Sequence, residues 1–578
     1  MKTHALFLLA AMGLLASCTS EIDITEDATQ DEAMAIAEAE AQTKAPSNYN
    51  IKGRVVDNAG NPLSGVVVSD GTQCVLTESN GYFYMNSDIS KVTFVHVSTP
   101  TGYLPKMQSG APVHYKRLSS ITPSGGVYNF GKFTLNPIPS NKANKLTIFF
   151  TADPQPRNKT STWDKFAFYS TRCCEALYRD IKETANAMSD RQVIGICLGD
   201  LAHEDMTLMG TYADAIKQFG FPTFNIIGNH DNDYSKTSDD GCAWRFEELF
   251  GPRNFSFNYG GVHIVMLDNL IMDANGLKTY SQGLTDEIWT WLQADMAYVP
   301  KTTKVMVCAH SPMFKLENGN ERTNTANHGP DYGALFDQYS EVHAWAGHTH
   351  TTFNYNYPTN HRHKRVQVHT LARSTGDLWT NEYLSDGTPR GFTIVDIENG
   401  QIKWRFHPTK YLHSNFHGTQ GQPAYTYRDW NYTDDGQGHL KAVMKGTNND
   451  LDESYQMHVY APGAYGSGNK YVFANIFLWD DKWSTPTFTS TGSSPVTMEH
   501  IQAFNSTTPT EFSHDAADTE IKLFYSDPSR YTQLDNSNYG QHLGLHTIFR
   551  VRDTKAHDSG IVSVTDRFGN TYTRSISW

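Results

Sequence analysis

The sequence is poor in three things, and each shortage removes a class of function. It lacks a basic excess: the formal net charge is −14 over 578 residues. That argues against nucleic acid as a partner held by a basic surface. A locally positive pocket of the kind bound metal ions create is still allowed. Beyond its first residues it has no apolar run of the about 20 residues that a membrane-spanning helix needs. It has only seven cysteines, and their spacing is not that of a disulfide framework. Cys197 and Cys308 lie inside apolar, strand-like runs, where a thiol serves as a small hydrophobe. Cys173 and Cys174 are adjacent on a predicted helix and should point to different sides. No pairing is predicted.

What is present begins with an address. Lys2 precedes an apolar run from Ala5 to Leu15, followed by Leu15-Ala16-Ser17-Cys18. The run is short and ends in small residues, as in a cleaved signal peptide. Its last four residues resemble the bacterial lipobox, which implies lipidation of Cys18. The expectation is a cell-envelope lipoprotein anchored in the outer membrane, on its periplasmic or its outer side. Residues 19–47 are acidic and alanine-rich, a composition that suits a tether better than a packed domain.

The hydrophobic period then changes twice. Residues 48–138 show short alternating strands split by turns such as Asp57-Asn58-Ala59-Gly60 and Ser79-Asn80-Gly81, the pattern of a small β-sandwich. Gly53 to Gly71 resembles a carboxypeptidase-regulatory or transthyretin-like module. From 142 to 406, apolar strands (Leu146 to Thr151, Val193 to Leu198, Thr223 to Ile227, Val262 to Leu267, Lys304 to Ala309, Val342 to Ala346) alternate with helical spacing at 162–188, 212–219 and 286–296. This alternation predicts a layered α/β domain. Residues 410–578 read as a further β-rich domain, its boundary lying somewhere in 365–410. Its aromatics (Trp430, Tyr432, Tyr471, Phe477, Trp479, Trp483) could contact glycan, but core packing is the better account.

Five polar clusters each follow an apolar strand directly: Asp153-Pro154-Gln155, Gly199-Asp200, Gly228-Asn229-His230-Asp231, His310, and Gly347-His348-Thr349-His350. Loops after strands are polar anyway, so any one of them proves little. All five consist of metal-ligand types, and together they describe a site. Two divalent cations about 3.5–4 Å apart need a bridging carboxylate with imidazole, amide and carboxylate groups around it. An extended 348–350 segment would keep both imidazoles on one side.

In this order the clusters resemble the signature of the calcineurin-like metallophosphoesterases, over residues 144–355. The stretch from Phe250-Gly251-Pro252 to Gly260-Gly261-Val262-His263 is similar to that family's intervening strand pair. The whole chain resembles secreted bacterial members with a β-rich module on either side of the catalytic domain. The resemblance implies a multidomain α+β protein: a central four-layer αββα sandwich, an N-terminal transthyretin-like β-sandwich and a C-terminal β-rich domain. It implies one metal on Asp153, Gln155, Asp200 and His350, and a second on the shared Asp200, Asn229, His310 and His348. The ions would be Mn, Mg, Zn or Fe. A metal-bridging hydroxide would attack a phosphomonoester or phosphodiester, with His230 as general acid oriented by Asp231. The competing expectation is a catalytically weak envelope lipoprotein that binds phosphate or glycan. Intact Asn229, His230 and Asp231 argue against it, because a pure binder has no use for a proton donor.

Two positions depart from the family pattern. Gln155 stands where the family usually has histidine, so it either ligates through its amide oxygen or bonds a metal-bound water. The first metal should then be held less tightly and lean toward Mn²⁺ or Mg²⁺. His203 stands where the purple acid phosphatases carry their tyrosine, which argues against a purple iron site. His203 is read as a polar loop residue or a substrate contact, and Arg157 as a surface residue or a clamp on a phosphate oxygen.

Overall fold

A computed structural model describes residue 46 and residues 48–578, apart from 109, 159–163, 274, 318–319, 324–326, 357–364, 377–383, 385–387, 414–428, 463–469 and 501–546. The expectations for Cys18, the signal and most of the tether lie outside the described residues. Among those residues no helix is long and apolar enough to cross a membrane.

The architecture is mixed α/β, rich in sheet and with few helices. Two sheets form the centre. The first runs Thr223–Asn225, Gln192–Cys197, Lys145–Thr151, Gly391–Glu398 and Gln401–Pro408; its first three strands are parallel and its last two antiparallel. The second runs Phe255–Tyr259, Val262–Leu267, Lys304–Ala309, Glu341–Ala346, Val366–Thr370 and Phe353–Asn356, with four parallel strands between antiparallel edges. The antiparallel pair Phe255–Tyr259 and Val262–Leu267 is the strand pair expected there. Gly391–Glu398 and Gln401–Pro408 complete the first sheet, although they lie in the part of the chain whose ownership the sequence left open.

Side chains alternate along these strands, and both alternating sets are apolar. Ile148 and Phe150, Ile196 and Leu198, Ile264 and Met266, and Met306 and Cys308 fill one core shared by the two sheets. The intervening residues point outward. Phe149, Val193 and Cys197 meet Leu177 and Ile181 of helix Asp164–Asn186 and Met209, Tyr212 and Ile216 of helix Met206–Lys217. Val265, Val305 and Val307 meet Trp291 and Leu292 of helix Asp286–Met296 and Tyr332 and Phe336 of helix Gly329–Phe336. Strands buried on both faces explain why the sequence shows continuous apolar runs rather than clean alternation. Phe150 and Trp345 stack across the shared core at 4.7 Å and 12°. Such a pair adds about 0.5–1.5 kcal/mol beyond area burial and fixes the sheets against each other, close to the strand ends that carry polar loops.

Two helices differ from expectation. The one expected to begin at Tyr212 begins at Met206, because the Asp205 carboxylate accepts from the backbone N–H groups of Thr207 and Leu208 at 2.8 and 3.0 Å. Gly329–Phe336 was not anticipated: Gly329-Pro330 looks like a breaker, yet proline suits a first helical turn.

Among the described residues the flanking modules are built from strands and short turns. In the first, a five-stranded and a four-stranded sheet enclose Ile51, Val55, Val68, Phe83, Val95 and Phe133. It docks on the edge strand Phe255–Tyr259, where Asn258 N–H donates to the Thr99 carbonyl at 2.8 Å and the Ser98 and Ser256 hydroxyls meet at 2.8 Å. In the C-terminal region Trp430, Tyr455 and Phe477 join the core shared by the central sheets. Trp430, Phe477, Trp479 and Trp483 are buried, so these four offer no exposed aromatic platform. No disulfide joins the six described cysteines, and Cys173 and Cys174 are both buried.

Candidate metal centre

The five polar clusters converge where the strands of the two central sheets end, and the backbone stitches them together. Asp153 N–H donates to the Gly199 carbonyl at 3.2 Å, Gln155 N–H to Asp200 at 3.0 Å, Glu204 N–H to His230 at 2.9 Å and Gly347 N–H to His310 at 3.0 Å. The packing is close enough to exclude side chains at two glycines. A Cβ on Gly228 would lie 2.2 Å from Asp200 N, and one on Gly347 would lie 2.6 Å from Asp153 Oδ2. Eleven non-glycine residues among those described have positive φ, and six are here: Asp153, Gln155, Asp200, Glu204, His348 and His350. Backbone strain of this kind costs about 1–3 kcal/mol per residue and gathers at functional sites. It also corrects the expectation for 348–350, which is not extended. His348 and His350 are both left-handed, at φ 68° and 58°.

Asp200 sits at the centre. Its Oδ1 accepts from His230 N–H at 2.9 Å and lies 3.4 Å from His310 Nε2, while its Oδ2 accepts from Gln155 Nε2 at 2.5 Å. Burial opposes charge on this carboxyl, but the rings of His310 and His230 hold it well below the usual carboxylate range. His310 is fully buried, and its Nδ1 is 2.7 Å from the Leu198 carbonyl. A carbonyl only accepts, so Nδ1 carries the hydrogen and Nε2 is left as the inward atom.

Around Nε2 stand Asn229 Oδ1 at 3.1 Å and His348 Nδ1 at 3.2 Å, these two being 3.0 Å from each other. The three atoms bring more lone pairs than protons to one point, an arrangement that a cation satisfies. Burial would lower the His310 pKa, yet Asp200 and Asp153 push it up to about 10, so this environment seeks positive charge. Burial and His310 together push His348 down to about 4. Asp153, Asp200 and His310 offer ligand atoms all within 4.8 Å of one another. This donor set fits a divalent metal. On the Asp153 side, His348 N–H donates to Oδ2 at 3.0 Å and His350 Nε2 lies 3.4 Å from Oδ1.

The expectation for Asp231 is corrected. Its carboxylate is taken up by backbone, accepting from Gly228 N–H at 2.8 Å and Ala202 N–H at 3.0 Å, because it lies at the end of the short turn Asn229–Asp231 and folds back on the turn's start. Burial and the charge on Asp200 push it up to about 7. The acid that holds the His230 ring is Glu204, whose Oε1 is 3.2 Å from Nδ1. Burial alone would lower the His230 pKa, but Asp200 and Glu204 outweigh it and raise it. Hydrogen bonding to His230 brings Glu204 down to about 2, with help from Lys278, whose ammonium bonds its other oxygen.

His203 is not an isolated loop residue. Its ring stacks on His230 at 4.4 Å between centroids and 27°, and its Nε2 is 2.9 Å from Arg157 Nη1. Burial, with His230 and Arg157 nearby, pushes it down to about 3. His203, Glu204 and His230 also lie close enough to share an ion. Arg157 and Lys278 already bring positive charge to them, however, so the buried Asp153–Asp200–His310 group is the better metal host.

Glu204, Lys278, Tyr234 and Tyr280 are site residues that no sequence motif singles out. The Tyr280 hydroxyl is 3.4 Å from His348 Nε2, and the Tyr234 hydroxyl donates to the Asn229 carbonyl at 2.7 Å. Glu204 stands four residues after Asp200 in the same loop, a proximity that could have marked it. Tyr234 follows the cluster at 228–231 by three residues, whereas Lys278 and Tyr280 come from a hairpin with no motif.

Three family models match successive parts of the chain: the N terminal of calcineurin-like phosphoesterase over residues 49–137, calcineurin-like phosphoesterase over 146–352, and the C terminal of calcineurin-like phosphoesterase over 369–572. No curated protein matches. Similar solved structures include a purple acid phosphatase from yellow lupin seeds, at 11% identity and TM-score 0.34, covering 60% of this chain and 67% of that one. A calcineurin-like phosphoesterase from Bacillus subtilis is similar at 11% identity and TM-score 0.26, over 45% of this chain and 87% of its own. The NAD nucleotidase of Haemophilus influenzae stands at 12% identity and TM-score 0.26; the match covers 46% of this chain and half, 50%, of that protein.

Proposed function

The chain belongs to the calcineurin-like phosphoesterases, and from that premise we propose that it is a two-metal hydrolase of phosphomonoesters or phosphodiesters with His230 as its proton donor. The observation that carries this reading is the crowding of His310 Nε2, Asn229 Oδ1 and His348 Nδ1 beside Asp200. Asp153, Gln155, Asp200 and His350 would hold one cation; Asp200, Asn229, His310 and His348 would hold the other. Bound divalent cations supply Lewis acidity toward the phosphoryl oxygens and an activated water.

The chain's own residues supply the rest. Asp200 stands between the two ligand sets and fixes the loop that carries His230 by accepting its N–H. Glu204 holds His230 Nδ1, which turns Nε2 toward the leaving oxygen and favours the protonated ring. His230 then donates from Nε2 to the departing alkoxide. Asp231 keeps the Gly228 turn closed. His203 covers the ring's face and is itself met by Arg157.

The four-layer αββα reading of residues 142–406 is supported by the three apolar cores between and outside the two sheets. A transthyretin-like module at 48–138, a C-terminal β domain from about 410 and an outer-membrane anchor on Cys18 complete the proposal. A panel of phosphomonoesters and phosphodiesters assayed with Mn²⁺, Mg²⁺ and Zn²⁺ tests it. Turnover should require metal and vanish in Asp200→Ala; equal turnover by that variant sinks the two-metal assignment.

A further inference from the structure

The N-terminal module meets the catalytic part of the chain along a seam that holds a cleft. Ala111, Pro112 and His114 line it from one side, and Ile216, Phe224 and Phe255 from the other. It measures about 460 Å³ counted out to its open mouth, but it is narrow: about 20 Å³ of it takes the centre of a sphere the size of water. Apolar walls carrying a few polar atoms, at a junction of domains, are the usual make-up of a small-molecule site.

His114 supplies the polar atoms. It is 4% exposed, and neither Nδ1 nor Nε2 has a hydrogen-bond partner among the described residues. Its ring lies 4.5 Å from that of Phe255 and 5.9 Å from that of Phe224, centre to centre. Burial, with His96 nearby, pushes its pKa down to about 3, so the imidazole is neutral. A neutral imidazole offers one N–H and one lone pair, and buried groups of this kind are seldom left unsatisfied. Thr223, which also lines the cleft, has a buried hydroxyl that bonds nothing among the described residues.

The walls define what fits. Among the described residues lining the cleft one is charged, Lys217, and its ammonium is taken by Asp214 at 3.1 Å. A charged group brought inside would lose its hydration without a counter-charge to replace it. A hydroxyl suits the neutral ring, because it accepts from one nitrogen or donates to the other. Water would meet that need too, but it would leave Ile216, Phe224 and Phe255 facing it, whereas a flat apolar ring covers them. We infer that this seam is a binding site for a small uncharged aromatic alcohol, its ring between the two walls and its hydroxyl on His114. Such a ligand touches both modules, so its binding ties the N-terminal module to the catalytic part. The inference is independent of the hydrolysis proposed above.

NMR titration of the full chain with phenol tests it, with toluene and benzoate as controls. Phenol should bind saturably and at least about tenfold more tightly than toluene, which lacks the hydroxyl, as a site built to hydrogen-bond a hydroxyl rejects the analogue without it. Benzoate, being charged, should bind no better than toluene. Phenol should also raise the melting temperature in a concentration-dependent way, as a ligand of the folded state does. His114→Phe keeps an aromatic ring and removes both nitrogens, so the ratio of phenol to toluene affinity should fall to one or below. Ala213→Leu, on the catalytic wall of the cleft, should weaken both ligands by narrowing it; Ala111→Leu makes the same test from the other wall if the first variant does not fold. Absence of saturable phenol binding by the wild-type chain overturns the inference. So does a phenol preference unchanged in His114→Phe, or phenol binding unchanged in a folded variant with either added leucine.

Discussion

The two sides of the candidate centre are built differently. On one side Asn229, His310 and His348 converge within 3.0–3.2 Å, and His310 is locked by the Leu198 carbonyl. On the other, His350 stands 3.4 Å from Asp153 with 22% of its side chain exposed, and the Gln155 amide is turned onto Asp200. The first side has its three ligand atoms gathered at one point. The second has one ligand engaged elsewhere and another near the surface. Pre-organisation lowers the cost of binding, so the first side should load first and release last.

Substituting the assembled side should do the most damage. Asn229→Ala removes the oxygen around which both imidazoles gather, and turnover should fall by about 10,000-fold as Lewis-acid stabilisation of several kcal/mol is lost. Metal content measured by atomic emission should fall by about one ion per chain. A variant that kept both ions would show that the convergence of these three side chains is only packing.

His230→Ala separates chemistry from binding. Both metals should remain, while hydrolysis of an alkyl ester falls by about 100- to 1,000-fold, the usual range for a general acid. A nitrophenyl ester, whose leaving group needs no proton, should be much less affected. Full turnover of the alkyl ester would remove His230 from the mechanism.

Glu204→Gln has a smaller effect with a defined sign. The carboxylate raises the His230 pKa, so the ring keeps its proton to higher pH than an ordinary histidine. Neutralising Glu204 lowers that pKa, and the basic limb of the kcat/KM profile should move to lower pH. Asp231→Asn should leave the limb closer to its original position, because Asp231 bonds backbone rather than the ring. If Asp231→Asn moved the limb further than Glu204→Gln, the reassignment of the orienting acid would fail.

That reassignment shows what was legible in the sequence. The ligand types were, because each had to stand directly after an apolar strand, and a parallel strand buried on both faces leaves a conspicuous apolar run. Contacts set by tertiary approach were not. Asp231 looked like the partner of His230 because it is its neighbour in the chain, whereas Glu204 reaches the ring from another loop. Lys278 and Tyr280 arrive on a hairpin with no motif. His348-Thr349-His350 was misjudged for a related reason: strand periodicity assumes extended backbone, and these histidines are left-handed. At the helix beginning at Met206, the apolar pattern pointed to Tyr212, and only the Asp205 cap marks the true start.

The finest test of the asymmetry is Gln155→His. As the structure stands, the Gln155 Nε2 donates to Asp200 Oδ2, so the orientation of its amide is already set by that bond and not by an ion. An imidazole at the same position, itself held at φ 40°, has no such bond to lose and is a better ligand for Zn²⁺ than an amide oxygen. The substitution should therefore tighten the weaker of two Zn²⁺ affinities by on the order of tenfold, about 1.4 kcal/mol. The stronger affinity, assigned to the Asn229–His310–His348 side, should hardly move. Calorimetric titration of the apoprotein resolves the two. If wild type and variant bind the weaker ion equally, Gln155 is not what makes the two sides unequal, and the exposure of His350 is left to account for the difference.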